Sequence, residues 1–211
     1  MAEPTVDIVV NDPRLVFHPE SHTYRLGPIL LPSVTQVLQS AGVSDFSGPW
    51  FTDAVKDRGT YVHQAIALDA EGVLDEETLD PQLAPYITGW RAFLAESGCE
   101  IEHWEQRVCD PLLGCAGTLD GILRHADWPP SRRLLVDVKR GFYASAGPQT
   151  AAYKRLALKL YDTPVLIERA VVELPGDGRY RLHRLDNRDD ELVFLAALRI
   201  HNFRRTHGYR D

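Results

Sequence analysis

Leu134-Leu135-Val136-Asp137-Val138-Lys139 is the stretch on which the fold turns. Its aliphatic residues predict a largely buried strand, where a carboxylate and an ammonium are costly unless something pairs them. Residues two apart on a strand share a face, so the Lys139 ammonium projects beside the Asp137 carboxylate. Upstream, Gly117-Thr118-Leu119-Asp120 sets a second carboxylate seventeen residues before Asp137, a spacing that suits two adjacent strands and their connection. Two carboxylates side by side on neighbouring strands repel unless a cation lies between them. Carboxylate oxygens favour a hard ion, so Mg²⁺ or Mn²⁺ is the expected cofactor, with the Val138 carbonyl as a further oxygen ligand. Such an ion beside a lysine suits phosphodiester hydrolysis: the ion activates water and offsets phosphate charge, and the lysine positions the nucleophile. Taken singly, each residue has a plainer explanation. Asp120 before Gly121 also looks like a hairpin turn, and Asp137 with Lys139 also looks like an ion pair on a solvated face.

Around this core the pattern alternates between helical and extended periods. Residues 1–13 are expected to be an extended arm with an early strand. His22–Leu26 and Ile29–Leu31 read as a hairpin about Gly27-Pro28. Ser33 and Gln36 have the spacing of a capping box, which starts a helix that Gly42 ends. Further helices are expected over about 50–70 and 81–97, the second closed by Gly98. Strands then follow at 100–109, 115–125 and 133–138, a helix at 148–160, strands at 165–174 and 180–185, and a last helix at 189–206. That order predicts an α/β fold with a mixed central β-sheet flanked by helices. The chain is expected to be a single domain over 1–211, with an arm and hairpin in 1–32, a helical part in 33–98 and a sheet core with a C-terminal helix in 99–211.

Asp120, the Asp137-Val138-Lys139 run and Gln149-Thr-Ala-Ala-Tyr153 together resemble the PD-(D/E)XK nuclease superfamily. The likeness is to the branch that holds the RecB nuclease domain, Cas4-like nucleases and phage exonucleases. That branch also carries a histidine on an upstream helix, matched here by Arg58-Gly-Thr-Tyr-Val-His63. The resemblance implies a restriction-endonuclease-like core. It implies Asp120, Asp137, the Val138 carbonyl and His63 as metal ligands, and Asp120, Asp137 and Lys139 as the catalytic set. Gln149 and Tyr153 would lie near the substrate, and their helical i, i+4 spacing independently puts them on one face. Arg140 is a further candidate for substrate binding. Glu105, on the strand expected before that of Asp120, is a further candidate ligand, with a solvated strand residue as the alternative. Leu119 stands where the superfamily name has proline, and the iron–sulfur cysteines are missing, so no cluster is expected. The implied activity is a Mg²⁺- or Mn²⁺-dependent deoxyribonuclease, exonucleolytic on linear DNA, duplex or single-stranded, in recombination, repair or phage replication. A recombination-protein partner or a homo-oligomer would fit that role. A non-catalytic DNA- or protein-binding module on the same fold is the competing expectation.

Composition bounds the rest. Hydrophobic residues make up 44% and charged residues 25% of 211, which is enough to bury a core. Three cysteines, Cys99, Cys109 and Cys115, with no Cys-x-x-Cys spacing, argue for reduced thiols in a cytoplasm, that of a bacterial or phage-infected cell. No basic-then-apolar leader and no membrane-length apolar run is expected. The net charge of −7 argues at first against a phosphate substrate. It is unevenly placed, however. Residues 69–80 hold six acids and no Lys or Arg, whereas 132–159 hold seven Lys or Arg against Asp137 alone. Glycines at 114, 117 and 121 lack the strand–loop–helix setting of a phosphate loop and read as turn and close-packing residues. Trp50, Phe51, Trp90, Trp104 and Trp128 are candidates for base stacking or for core, and 201–210 mixes basic and aromatic groups.

Overall fold

The computed structural model describes residues 14–19, 23–44 and 53–209. The expected arm at 1–13, His22, Trp50, Phe51 and Arg210 lie outside them. An antiparallel three-stranded meander comes first, β1 (Leu15–His18), β2 (Thr23–Leu26) and β3 (Ile29–Leu31). The sequence reading has only the β2–β3 hairpin here. β1 is four residues long, and its pairing with β2 makes a sheet of what would otherwise be a lone hairpin. Three helices follow: α1 (Val34–Ser40), α2 (Asp53–Ala70) and α3 (Ala84–Ser97). The capping box of α1 is present, with the Gln36 amide donating to Ser33 Oγ and the Ser33 amide to Gln36 Oε1, both at 3.0 Å. α3 stops where Gly98 turns left-handed at φ 65°.

The centre is a five-stranded mixed sheet in the order β4 (Cys99–Asp110), β5 (Cys115–His125), β6 (Arg132–Lys139), β7 (Leu166–Glu173) and β8 (Arg181–Arg184). β4, β5 and β6 are antiparallel neighbours, β6 and β7 run parallel, and β8 returns antiparallel. A parallel pair needs a crossover, and α4 (Ala146–Ala157) with a short 3₁₀ turn (Leu158–Leu160) provides it. The last helix, α5 (Asp189–Thr206), lies where the sequence predicts it. The mixed central sheet flanked by helices is the α/β arrangement expected from the sequence.

β6 is buried on both faces. Leu134, Val136 and Val138 pack with Val62, Ile66, Ile87, Trp90 and Phe93 from α2 and α3. Leu135 packs with Leu156, Phe194 and Leu198 from α4 and α5. Asp137, two residues beyond Leu135, therefore occupies a position that an apolar side chain would fill, and it is 1% exposed. Among the described residues, no helix is long and apolar enough to cross a membrane.

Candidate metal centre

β5 and β6 pair only over Gly121↔Val136, Ile122↔Leu135 and Leu123↔Leu134. Past that point the strands part, and the Asp120 side chain takes over from the backbone: its Oδ2 accepts the Val138 N–H at 2.6 Å. On the other side of β5, the register Trp104↔Gly121 and Gln106↔Leu119 sets Glu105 across from Asp120. Like charges directly opposite on antiparallel strands are destabilising. Glu105 also has φ 48°, unusual for a residue with a Cβ. Strain and repulsion thus meet at one carboxylate pair, a combination found where function requires it.

His63 reaches into this pair from α2. Its Nδ1 lies 3.0 Å from Glu105 Oε1 and 3.6 Å from Asp120 Oδ1, and its Nε2 lies 3.2 Å from the Val138 carbonyl oxygen. Trp104 holds that turn of α2 by donating from Nε1 to the His63 carbonyl at 3.4 Å. Both ring nitrogens face only acceptors, which suits the doubly protonated ring. Burial opposes that charge, but Asp120 and the Glu105 hydrogen bond outweigh it and lift the His63 pKa to about 9. One ligand atom each from His63, Glu105 and Asp120 lie within 4.8 Å of one another.

Asp137 and Lys139 form the second part of the site. Lys139 Nζ donates to Asp137 Oδ1 at 3.0 Å and lies 3.0 Å from Oδ2, so the ammonium faces both oxygens of the buried carboxylate. Burial raises the Asp137 pKa, the Asp120 charge adds to this, and Lys139 opposes it. Burial alone would lower the Lys139 pKa, but Asp137 and Asp120 reverse the sign and keep it an ammonium. The residues present fit a hard divalent cation. Glu105 and Asp120 supply carboxylate oxygens within reach of a His63 nitrogen, a donor set such an ion takes, and with His63 neutral the two facing carboxylates need a counter-ion. His63 is the one nitrogen donor.

Of the other expected site residues, Tyr153 and Gln149 share a face of α4. Tyr153 is buried, and a Cβ on Gly117 would come within 2.6 Å of its ring, so the glycine at 117 is what lets this phenol approach β5. Burial first, with Asp137 and Asp120 adding, pushes the Tyr153 pKa up, so the phenol stays protonated. Gln149 Nε2 reaches Tyr153 Oη only at 3.5 Å. Arg140 is exposed, its guanidinium 5.8 Å from the Tyr86 ring centroid on α3. Two contributors were not foreseen: Tyr24 of β2, whose hydroxyl meets Thr118 Oγ1 at 2.8 Å, and Trp104 as the anchor of α2. A tyrosine in a hairpin gives no sequence signal that it will lie on the Asp120 strand.

The three described tryptophans divide as core and support. Trp90 is fully buried, Trp104 packs against it with ring centroids 5.1 Å apart and planes tilted by 53°, and Trp128 lies under Arg132. In the 201–210 stretch, His201 bonds Ser40 Oγ at 2.7 Å and Arg204 the Ser40 carbonyl at 2.9 Å, tying α5 to α1. The basic character of 132–159 needs correction. Arg132 pairs with Glu168, Arg133 with Glu102, Lys139 with Asp137, Arg155 with Glu191 and Lys159 with Asp110. Acids distant in sequence offset four of the seven cations in a run that looks more basic on its own. The acidic 69–80 segment is offset in the same way, Asp69 and Glu76 both clamping Arg91.

No family model matches this chain, and no curated protein does. Among solved structures, a candidate exonuclease from Eubacterium rectale aligns with a TM-score of 0.47 at 13% identity, over 83% of this chain and 74% of that one. An alkaline exonuclease from Laribacter hongkongensis aligns with a TM-score of 0.29 at 14% identity, over 83% of this chain and 92% of that one. Neither likeness assigns a residue or a reaction to this chain.

Proposed function

We propose that this protein is a divalent-metal-dependent deoxyribonuclease, acting as an exonuclease on linear DNA in recombination, repair or phage replication. The observation that carries this is the convergence of His63, Glu105 and Asp120 where β5 and β6 part, beside the buried Asp137–Lys139 pair. Asp120, Asp137, Glu105, the Val138 carbonyl and His63 would hold Mg²⁺ or Mn²⁺. When bound, the ion supplies Lewis-acid charge next to a scissile phosphate and lowers the pKa of water.

The chain's own groups do the rest. Lys139 stays protonated and donates toward the nucleophilic water or a phosphate oxygen, and Asp137 fixes its position. Asp120 locks β6 through the Val138 N–H, so the ligands on two strands cannot drift apart. Tyr153 and Gln149 offer neutral donors on the α4 side, suited to a phosphate or sugar oxygen. A purely structural or binding module would not need a strained Glu105 facing Asp120, or an aspartate in a core position.

The test uses end-labelled linear DNA and closed circular DNA, each with Mg²⁺, Mn²⁺ or EDTA. Asp137→Ala and Lys139→Ala run in parallel. Metal-dependent loss of linear DNA only, reduced about 10²- to 10³-fold or more by each change, supports the reading. DNA binding without cleavage of either form under any metal would overturn it.

A further inference from the structure

Beyond the metal centre, the ends of β6, β7 and β8 carry a second group of side chains. The registers Asp137↔Val171↔His183 and Lys139↔Glu173↔Arg181 draw two rows across the three strands, and paired residues share a face. Glu173 and His183 are thus on the Asp137 face, next to Lys139. Glu173 is buried and accepts from Arg181 at 2.9 Å and from His183 Nε2 at 2.7 Å. The imidazole is thereby fixed in orientation, and Phe142 stacks on it with centroids 4.5 Å apart and planes 14° from parallel.

Phe142 is an odd residue for this place. It sits in the 140–145 loop, is 44% exposed, and belongs to none of the three apolar clusters. An aliphatic side chain would cover His183 as well. What the pair provides instead is a rigid aromatic plane, its tilt set by a buried carboxylate through the imidazole. Phe142 is three positions after Lys139, which limits the gap between their Cα atoms to about 11 Å. Arg181, 65% exposed, lies on the outer side of the same row.

We propose that Phe142, backed by His183, is the stacking platform for an unpaired nucleobase of the strand whose phosphate lies at Lys139. This rests on the nuclease reading and specifies its substrate: a single strand or a frayed end, whose bases are free to leave the duplex stack. Glu173 acts as a positioning residue, holding His183 in plane. Every base has a π-face, so the platform is tolerant of sequence, and one stacked base is worth about five- to a hundredfold in binding.

The test is a scan of single-stranded oligonucleotides with 2-aminopurine at successive positions, bound in Ca²⁺. Fluorescence reports stacking and anisotropy reports binding. One position near the end is expected to be quenched in the wild type, unquenched in Phe142→Ala with about tenfold weaker binding, and quenched again in Phe142→Tyr. His183→Ala, with circular dichroism checking its fold, is expected to weaken the quench without abolishing it. Equal quenching in wild type and Phe142→Ala, or no binding of the oligonucleotide by the wild type, overturns the proposal. A Phe142-dependent quench in a protein that cuts no DNA with Mg²⁺ or Mn²⁺ would leave the platform standing and refute the nuclease. Cleavage with a Phe142-independent quench would do the reverse.

Discussion

Lys139→Met isolates what the buried carboxylate demands of its partner. Asp137 is 2% exposed at its side chain and Lys139 27%, so removing the ammonium strands a charge with little water to replace it. Breaking a buried pair from one side costs about 3–5 kcal/mol, and the partial exposure of Lys139 places this case near the lower end, about 3 kcal/mol. A ceiling also applies, because Asp137 can take up a proton instead. Protonating a carboxyl of ordinary pKa costs about 1.4 kcal/mol per pH unit, or about 5 kcal/mol at pH 7.5 and about 2 kcal/mol at pH 5.5. The sign follows from the raised Asp137 pKa: the folded state holds that proton more tightly than the unfolded chain, so acid relieves the defect. Urea denaturation in EDTA should therefore show a loss of about 3 kcal/mol at pH 7.5 that shrinks to about 2 kcal/mol or less at pH 5.5. The double change Asp137→Asn with Lys139→Met should recover most of it. A loss under about 1 kcal/mol, or one that does not change with pH, would refute the claim that Asp137 is a buried charge held by Lys139.

Two further outcomes follow from the His63 side of the site. Its pKa near 9 means that a proton competes with any metal for the imidazole, so Mn²⁺ affinity measured by calorimetry should rise with pH up to about 9 and then level off. His63→Ala should weaken binding and remove most of that pH dependence. In metal-free protein the raised pKa works the other way. The stabilisation from protonated His63 is complete below its unfolded pKa of about 6.5 and is lost as pH rises through about 9. Glu105→Gly should relieve about 1 kcal/mol or more of backbone strain and the repulsion from Asp120, while giving up the His63 hydrogen bond. Its stability in EDTA should match or exceed wild type while its Mn²⁺ affinity falls, which paired denaturation and calorimetry would establish.

The parts legible in the sequence were those that depend on neighbours along the chain. Asp137 and Lys139 stood out because aliphatic residues surround them, and Asp120 because a matching strand precedes them. α1 announced itself through Ser33 and Gln36, and α5 through its helical period over 189–206. What escaped was set by pairing across the chain. Glu105 could only be a candidate, because its place opposite Asp120 depends on the β4–β5 register, which shifts between Ile101 and His103. The apparent basic patch at 132–159 shrank once Glu102, Glu168, Glu191 and Asp110 came in from other elements. β1 was missed because four residues carry too short an alternation to separate from loop. Phe142 gave no signal, since an aromatic in a loop becomes notable only when His183 arrives beneath it from β8.

Electron paramagnetic resonance of Mn²⁺ tests the central claim most directly, because the free ion's signal falls as the ion is captured. Titrated at pH 8, the wild-type protein is predicted to bind Mn²⁺ tightly at a site that Asp120→Asn, which preserves the side chain's shape, weakens by about tenfold or more. Superimposable titrations of the two proteins would contradict the assignment of a cation to the junction of β5, β6 and α2.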